Sequence, residues 1–158
     1  SDVCSSDLDC SGFLIITDRI IEGKFLKNAV VYRPKTLVVG IGLHHDTTAN
    51  TIRKGLEYSL NKFGLSWKSI NKLTTIKKPQ DVSGLIEFGS EMNLPIKYFE
   101  KEELSKIKIP NPSYTVESFE GTSSVSEASA VLGSNGKIIV EKQKFPPDLT
   151  VAIARIEY

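Results

Sequence analysis

Cysteine is scarce and poorly placed for a structural role. Cys4 and Cys10 are the only two, and none follows Cys10. A disulfide framework spreads its cysteines through a fold, and a zinc site needs about four ligands in paired spacings, so neither is expected. The five residues between them also depart from the two-residue spacing of a dithiol redox motif. Charge of one sign is missing too: 20 basic residues face 19 acidic ones, a formal net charge of +1. Proteins that grip nucleic acid or an anionic membrane surface carry a basic excess, so neither partner is expected. Long apolar runs are absent. Leu14-Ile15-Ile16 and Leu37-Val38-Val39 fall far below the roughly 20 residues that span a bilayer. No charged-then-apolar leader is visible either, and a cytoplasmic location is the expectation.

What remains is an ordinary globular composition. The chain has 158 residues, 40% hydrophobic and 25% charged, enough for one main core. Residues 1–9 are polar and patternless and are expected to be a disordered or non-native leader; Ser1–Leu8 resembles a translated sequencing adapter. Residues 10–35 hold two short predicted strands, Phe13–Thr17 and Ala29–Tyr32, joined through Gly23 and ending at Arg33-Pro34. Two short strands cannot hold a core, so this stretch reads as the end of a preceding domain.

The main domain is expected over residues 36–158. Thr36–Gly42 is a continuous β-branched and apolar run, the pattern of a strand buried on both faces. Thr47 or Thr48 can cap a helix to Phe63 with Ile52, Leu56, Leu60 and Phe63 on one stripe, and Gly64 is placed to end it. Leu73–Ile76 predicts a second strand. Asp81 can cap a helix that turns Val82, Leu85, Ile86 and Met92 inward and closes before Pro95. Ile96–Phe99 predicts a third strand, followed by a short acidic helix over Glu100–Lys106. Helices are also predicted from Ser113 to Phe119 and from Ser124 to the turn Gly133-Ser-Asn-Gly136. Strands follow at Lys137–Glu141 and Leu149–Ile156. Every residue from Leu149 to Ala154 is apolar or small, which predicts an interior strand. The fold class is α/β: a three-layer α/β/α sandwich around a mostly parallel, mixed sheet.

Gly40-Ile-Gly42 stands between the first strand and its helix, where α/β folds bind ligands. A dinucleotide fingerprint needs a third glycine where His45 stands, and a phosphate loop needs Gly-Lys-Ser/Thr where Asp46-Thr47 stands. The remaining reading is a turn that offers backbone N–H groups to an anion, against the alternative of a plain connection. His44-His45-Asp46-Thr47 fills the same loop with the only two histidines of the chain. An imidazole titrates near neutral pH, so the loop can host a general base, although two solvated histidines without a role explain it as well. Neighbouring residues of an extended loop point apart, which argues against a shared metal.

Further along, Ile109-Pro-Asn-Pro-Ser113 forms a preset path that suits either a rigid connection or a binding wall around Asn111 and Ser113. Gly121-Thr122-Ser-Ser124 opens a helix whose Ser124 and Glu127 match a capping box. Lys142 and Lys144 flank Gln143 and can clamp carboxylates, or simply be solvated.

Together these stretches resemble one family. Thr36-Leu-Val-Val-Gly-Ile-Gly42, Pro110-Asn-Pro-Ser113, Gly121-Thr-x-Ser-Val-x-Glu-Ala128 and Thr150-Val-Ala-Ile-Ala-Arg155 occur in the order seen in the C-terminal domain of CbiG, which also stands alone as CobE. The resemblance covers residues 36–156, and 10–35 is similar to the end of the CbiG middle domain. It implies cobalamin biosynthesis by the anaerobic route: hydrolysis of the ring A δ-lactone of cobalt-precorrin-5A with release of acetaldehyde. The implied partners are a cobalt-corrinoid intermediate and the preceding CbiG domains. No cofactor is implied, because the substrate carries its own cobalt. Carboxylates on the corrinoid would meet Gly40, Gly42, Thr47, Asn111, Ser113, Gly121, Thr122, Ser124, Lys142 and Lys144, while His44, His45 or Asp46 would supply the base. The family commonly carries a cysteine and two basic residues after the glycines; Leu43, His44 and His45 stand there, so a role for that cysteine does not transfer. The rival reading is a non-catalytic corrinoid-binding or partner-docking module.

Overall fold

The structure is a computed structural model that describes residues 13–23, 29–107, 125–146 and 148–157. The central strand of the sheet, β3 (Leu37–Leu43), is buried along its whole length, as its unbroken apolar run dictates. It pairs in parallel with β4 (Ile70–Ile76), which pairs in parallel with β5 (Ile96–Phe99). On its other side β3 pairs antiparallel with β7 (Leu149–Arg155), which pairs antiparallel with β6 (Lys137–Phe145). The order is β5-β4-β3-β7-β6, so four strands run one way and β7 alone opposes them. The interior position expected of the last strand is observed.

Side chains alternate across β3 and separate the two outer layers. Leu37, Val39, Ile41 and Leu43 share a core with Ile52, Leu56 and Leu60 of α1 (Ala49–Phe63) and Leu85 and Phe88 of α2 (Ser83–Met92). The opposite face carries α3 (Lys101–Ser105) and α4 (Val125–Ser134), where Leu104, Val125 and Ala128 meet Ile76 and Phe99. The result is the expected three-layer sandwich. Thr48 is the residue that caps α1, accepting the Thr51 N–H, and Gly64 ends it at φ 65°.

Several inward assignments need correction. Phe63 is exposed because the α1 core face ends one turn earlier at Leu60; the Lys62 ammonium sits over its ring instead. Ile86 is exposed because α2 turns Leu85, Phe88 and Gly89 toward the sheet. The cap of α2 is Val82, whose side chain makes no capping bond, rather than Asp81. Strand β6 runs on to Phe145, through two register irregularities, past the expected end at Glu141. The helix expected over 113–119 lies outside the described residues.

Ahead of the sandwich, β1 (Phe13–Ile16) and β2 (Ala29–Tyr32) form a separate two-stranded parallel sheet. The chain between them is tied to the main sheet. Arg19 and Leu65 form an antiparallel bridge, Ile20 N–H donates to Gly64 O at 2.8 Å, and Ser66 N–H donates to Asp18 O at 2.8 Å. The Asp18 carboxylate, only 7% exposed, receives Arg155 Nε at 2.7 Å, Arg155 Nη2 at 2.8 Å and the Thr36 hydroxyl at 2.7 Å. Burial by itself would raise its pKa; the hydrogen bonds from Arg155 and Thr36 and the Arg155 charge outweigh burial and hold it below the ordinary value. No helix among the described residues is long and apolar enough to cross a membrane.

Candidate functional site

Because β3, β4 and β5 are parallel, the segments that leave their carboxyl ends gather at one edge of the sheet. From β3 comes His44–Thr48, from β4 comes Lys77–Val82, and from β5 comes Glu100. Two close contacts fix the histidine turn. Thr47 is buried; its hydroxyl accepts from His44 N at 3.0 Å and lies 3.1 Å from Asp148 Oδ2 and 3.2 Å from Asp148 O, which it can donate to. On the other side Gly84 opens α2 with no side chain: a Cβ there would sit 2.1 Å from Thr47 O. The turn is thus wedged between α2 and the β6–β7 connection, and His44, His45 and Asp46 project from it into solvent.

A cleft lies between this turn and the loop after β4. Its deeper part, about 360 Å³, is lined by Leu43, Ile76, Val82 and Leu85 together with Tyr98, Asp81 and Lys78. Burial first, and the Asp81 charge second, push the Tyr98 phenol above its ordinary pKa. A second part of about 450 Å³ shares Ile76, Lys77, Lys78 and Gln80 and adds His45, Pro79 and Lys101. Lys77 forms a solvent-exposed ion pair with Glu100 at 3.4 Å.

Of the expected site residues, His45 lies in this cleft, with His44 and Asp46 beside it in the turn. Gly40 and Gly42 require correction: they form no ligand-facing turn but lie inside β3, paired with Ala152 and Thr150. Gly40 is glycine because α4 crosses directly over it; an added Cβ would stand 1.8 Å from Ser126 O and 2.9 Å from Ala130 Cβ. Thr47 is likewise engaged within the protein and is a latch for the turn. Lys142 and Lys144 lie on β6, the far edge strand, about 14 Å from β4 at ordinary strand spacing. Burial lowers the Lys142 pKa, opposed by the Glu127 charge and assisted by Lys144. Glu127 is fully buried, and its carboxylate accepts the Lys142 backbone N–H at 3.3 Å. Asn111, Ser113, Gly121, Thr122 and Ser124 lie outside the described residues. The sequence reading passed over Lys77, Lys78 and Lys101, although Lys-Lys-Pro-Gln directly follows a strand end, the same signal that drew attention to His44 and His45.

Sequence and fold both match known proteins. The family described as Cobalamin synthesis G C-terminus matches residues 37–154, nearly the whole sandwich. A protein of Priestia megaterium named cobalt-precorrin-5A hydrolase is 34% identical over 148 residues, 92% of this chain and 40% of its own length. The chain therefore spans about two fifths of that curated relative. The crystal structure of CobE, a protein from the cobalamin (vitamin B12) biosynthetic pathway, superposes with a TM-score of 0.70 at 25% identity, covering 78% of this chain and 92% of its own. A cobalamin biosynthesis protein G homologue from Sulfolobus solfataricus reaches 0.62 at 26% identity over 94% of this chain and 45% of its own. With the family match running from the first residue of β3 almost to the last of β7, the chain belongs to the cobalamin synthesis G C-terminal family.

Proposed function

We propose that this chain is the C-terminal part of a cobalt-precorrin-5A hydrolase of the anaerobic route to cobalamin. The carrying observation is the 34% identity to a protein of that name, spread over 92% of this chain. On this reading the substrate is a cobalt-corrinoid intermediate, the cobalt enters as part of it, and the setting is the cytoplasm. Water adds to the ring A lactone carbonyl and the ring oxygen leaves it as an alcohol on the two-carbon unit; loss of the alcohol proton then breaks the carbon–carbon bond to the macrocycle, which takes the electron pair, and the unit departs as acetaldehyde. A base must take the proton of that water. His45 is the best-placed group for this, since it alone of the three candidates in the turn lines the cleft.

Residues 10–35 are assigned to the end of a preceding domain. The coverage of the Sulfolobus structure exceeds that of CobE by about 25 residues, close to the length of that stretch. The β1–β2 sheet supports the same assignment. Leu14 pairs with Val30 and Ile16 with Tyr32, and all four are exposed, an apolar face that a parallel sheet normally covers.

A second reading has its own support: CobE matches over 92% of its length, so this sandwich exists as a free-standing protein. In that case the chain binds the corrinoid without turning it over. Mixing cobalt-precorrin-5A with the 158-residue chain, and separately with the longer protein that carries it, decides the matter. Acetaldehyde from the longer protein supports the hydrolase; binding by both without acetaldehyde supports the binding module.

A further inference from the structure

We infer that Lys77, Lys78 and Lys101, next to His45, form a carboxylate-reading subsite that holds one rim of a large, flat polyacid. The inference rests on the hydrolase reading only for the identity of that polyacid. The second part of the cleft is lined by three lysines and one histidine and, among the described residues, by no acid. In a chain with 20 basic and 19 acidic residues, this part of the cleft gathers bases, while Asp81 and Glu100 line the adjoining deeper part. The lysines come from two separate elements, Lys77 and Lys78 from the end of β4 and Lys101 from the start of α3, and His45 stands beside them in the turn after β3. A single phosphate is usually cradled by converging backbone N–H groups. Cations spread around about 450 Å³ instead match several carboxylates spaced along one ligand. The lining supports this choice, since Ile76 and Pro79 add apolar surface to it. A polyacid with a hydrocarbon body would lay its edge on that surface and its acid arms on the lysines. The Lys77–Glu100 pair does not oppose this, because an exposed ion pair contributes little and exchanges readily for a ligand carboxylate. The subsite binds and orients; the lysines take no part in the chemical step.

The test uses two probes on the 158-residue chain: uroporphyrin, a tetrapyrrole with eight carboxylates, and pyrophosphate. Amide resonances of a ¹⁵N-labelled sample are followed during titration at low and high salt. Saturable shifts at His45, Lys77, Lys78 and Lys101 are expected with uroporphyrin, and high salt should weaken binding. K77Q/K78Q, and separately K101Q, should each weaken binding about tenfold or more, while unchanged dispersion of the remaining resonances shows that the fold is kept. Absence of shifts at these residues, equal affinity in the variants, or tighter binding of pyrophosphate would each overturn the subsite. The hydrolase reading fails separately. If uroporphyrin shifts the subsite but the longer protein releases no acetaldehyde, the subsite stands and the hydrolase falls. If acetaldehyde is released and K77Q/K78Q leaves KM unchanged, the subsite falls and the hydrolase stands.

Discussion

Asp18 shows how one residue outside the sandwich can matter more than its position suggests. Its carboxylate is buried against Arg155 and Thr36, so removing the charge leaves Arg155 without that partner. Asp18→Asn should destabilise the chain by about 1.5–3 kcal/mol at neutral pH, the range for hydrogen bonds to charged groups, read from urea unfolding. The pH dependence follows from the sign of the shift. The folded-state pKa is depressed, so the contribution is complete above the unfolded value of about 3.9 and is lost as pH falls through the lower, folded value. Parent and variant should therefore converge in stability only below about pH 4; convergence already at pH 6 would assign the effect to another group. The histidines separate at the same scale. His45 lines the cleft and His44 does not. In the longer protein His45→Gln should lower saturated acetaldehyde release by roughly a hundredfold to ten-thousandfold with corrinoid affinity kept, while His44→Gln should be near silent. Full turnover in His45→Gln would move the base elsewhere.

Elements are where glycine decides geometry. The approach of α4 to β3 is possible because Gly40 presents no side chain beneath Ser126 and Ala130. Gly40→Ala forces either the helix or the strand to move, since the obstructing atom is backbone rather than a flexible side-chain tip. A loss of about 1–3 kcal/mol, typical of overpacking, is expected in chemical unfolding. An unchanged midpoint would mean that α4 can lift off β3 freely. This contact also marks the limit of what was legible beforehand. Periodicity located β3, α1, β5 and the interior placement of β7, because each depends on its own residues and the burial of its two faces. Gly40 was misassigned because a glycine required by a helix contact 86 residues later looks, locally, like a turn glycine, and Gly42, which lies inside β3 opposite Thr150, was misread with it. The latch from Thr47 to Asp148 was hidden for the same reason, since its partner is 101 positions away. Lys77, Lys78 and Lys101 look like ordinary surface lysines until parallel pairing brings two strand ends to one edge.

At the scale of the whole molecule, the two ends of the sheet have separate duties. The carboxyl ends of β3, β4 and β5 carry the cleft, while Thr36, just before β3, and Arg155, at the end of the antiparallel β7, meet at the opposite edge and receive Asp18. The segment that carries Asp18 therefore docks away from the cleft. This division predicts how truncation should act. Removing Ser1–Leu8 takes away a polar, patternless stretch and should leave the thermal midpoint unchanged. Removing residues 1–35 also takes away Asp18 and the backbone bonds to Gly64 and Ser66. The sandwich keeps both of its hydrophobic layers and should still fold, since all the buried residues of those layers lie after Pro34. The lost ties should lower the midpoint by roughly 3–10 °C, from about 1–3 kcal/mol at the usual conversion for domains of this size. Uroporphyrin affinity should not change, because the cleft is at the other end of the strands. Differential scanning calorimetry and the same titration on the three chain lengths check both halves. A truncated chain that keeps its midpoint would make the Asp18 anchor unimportant, and one that loses affinity would show that the two ends are coupled.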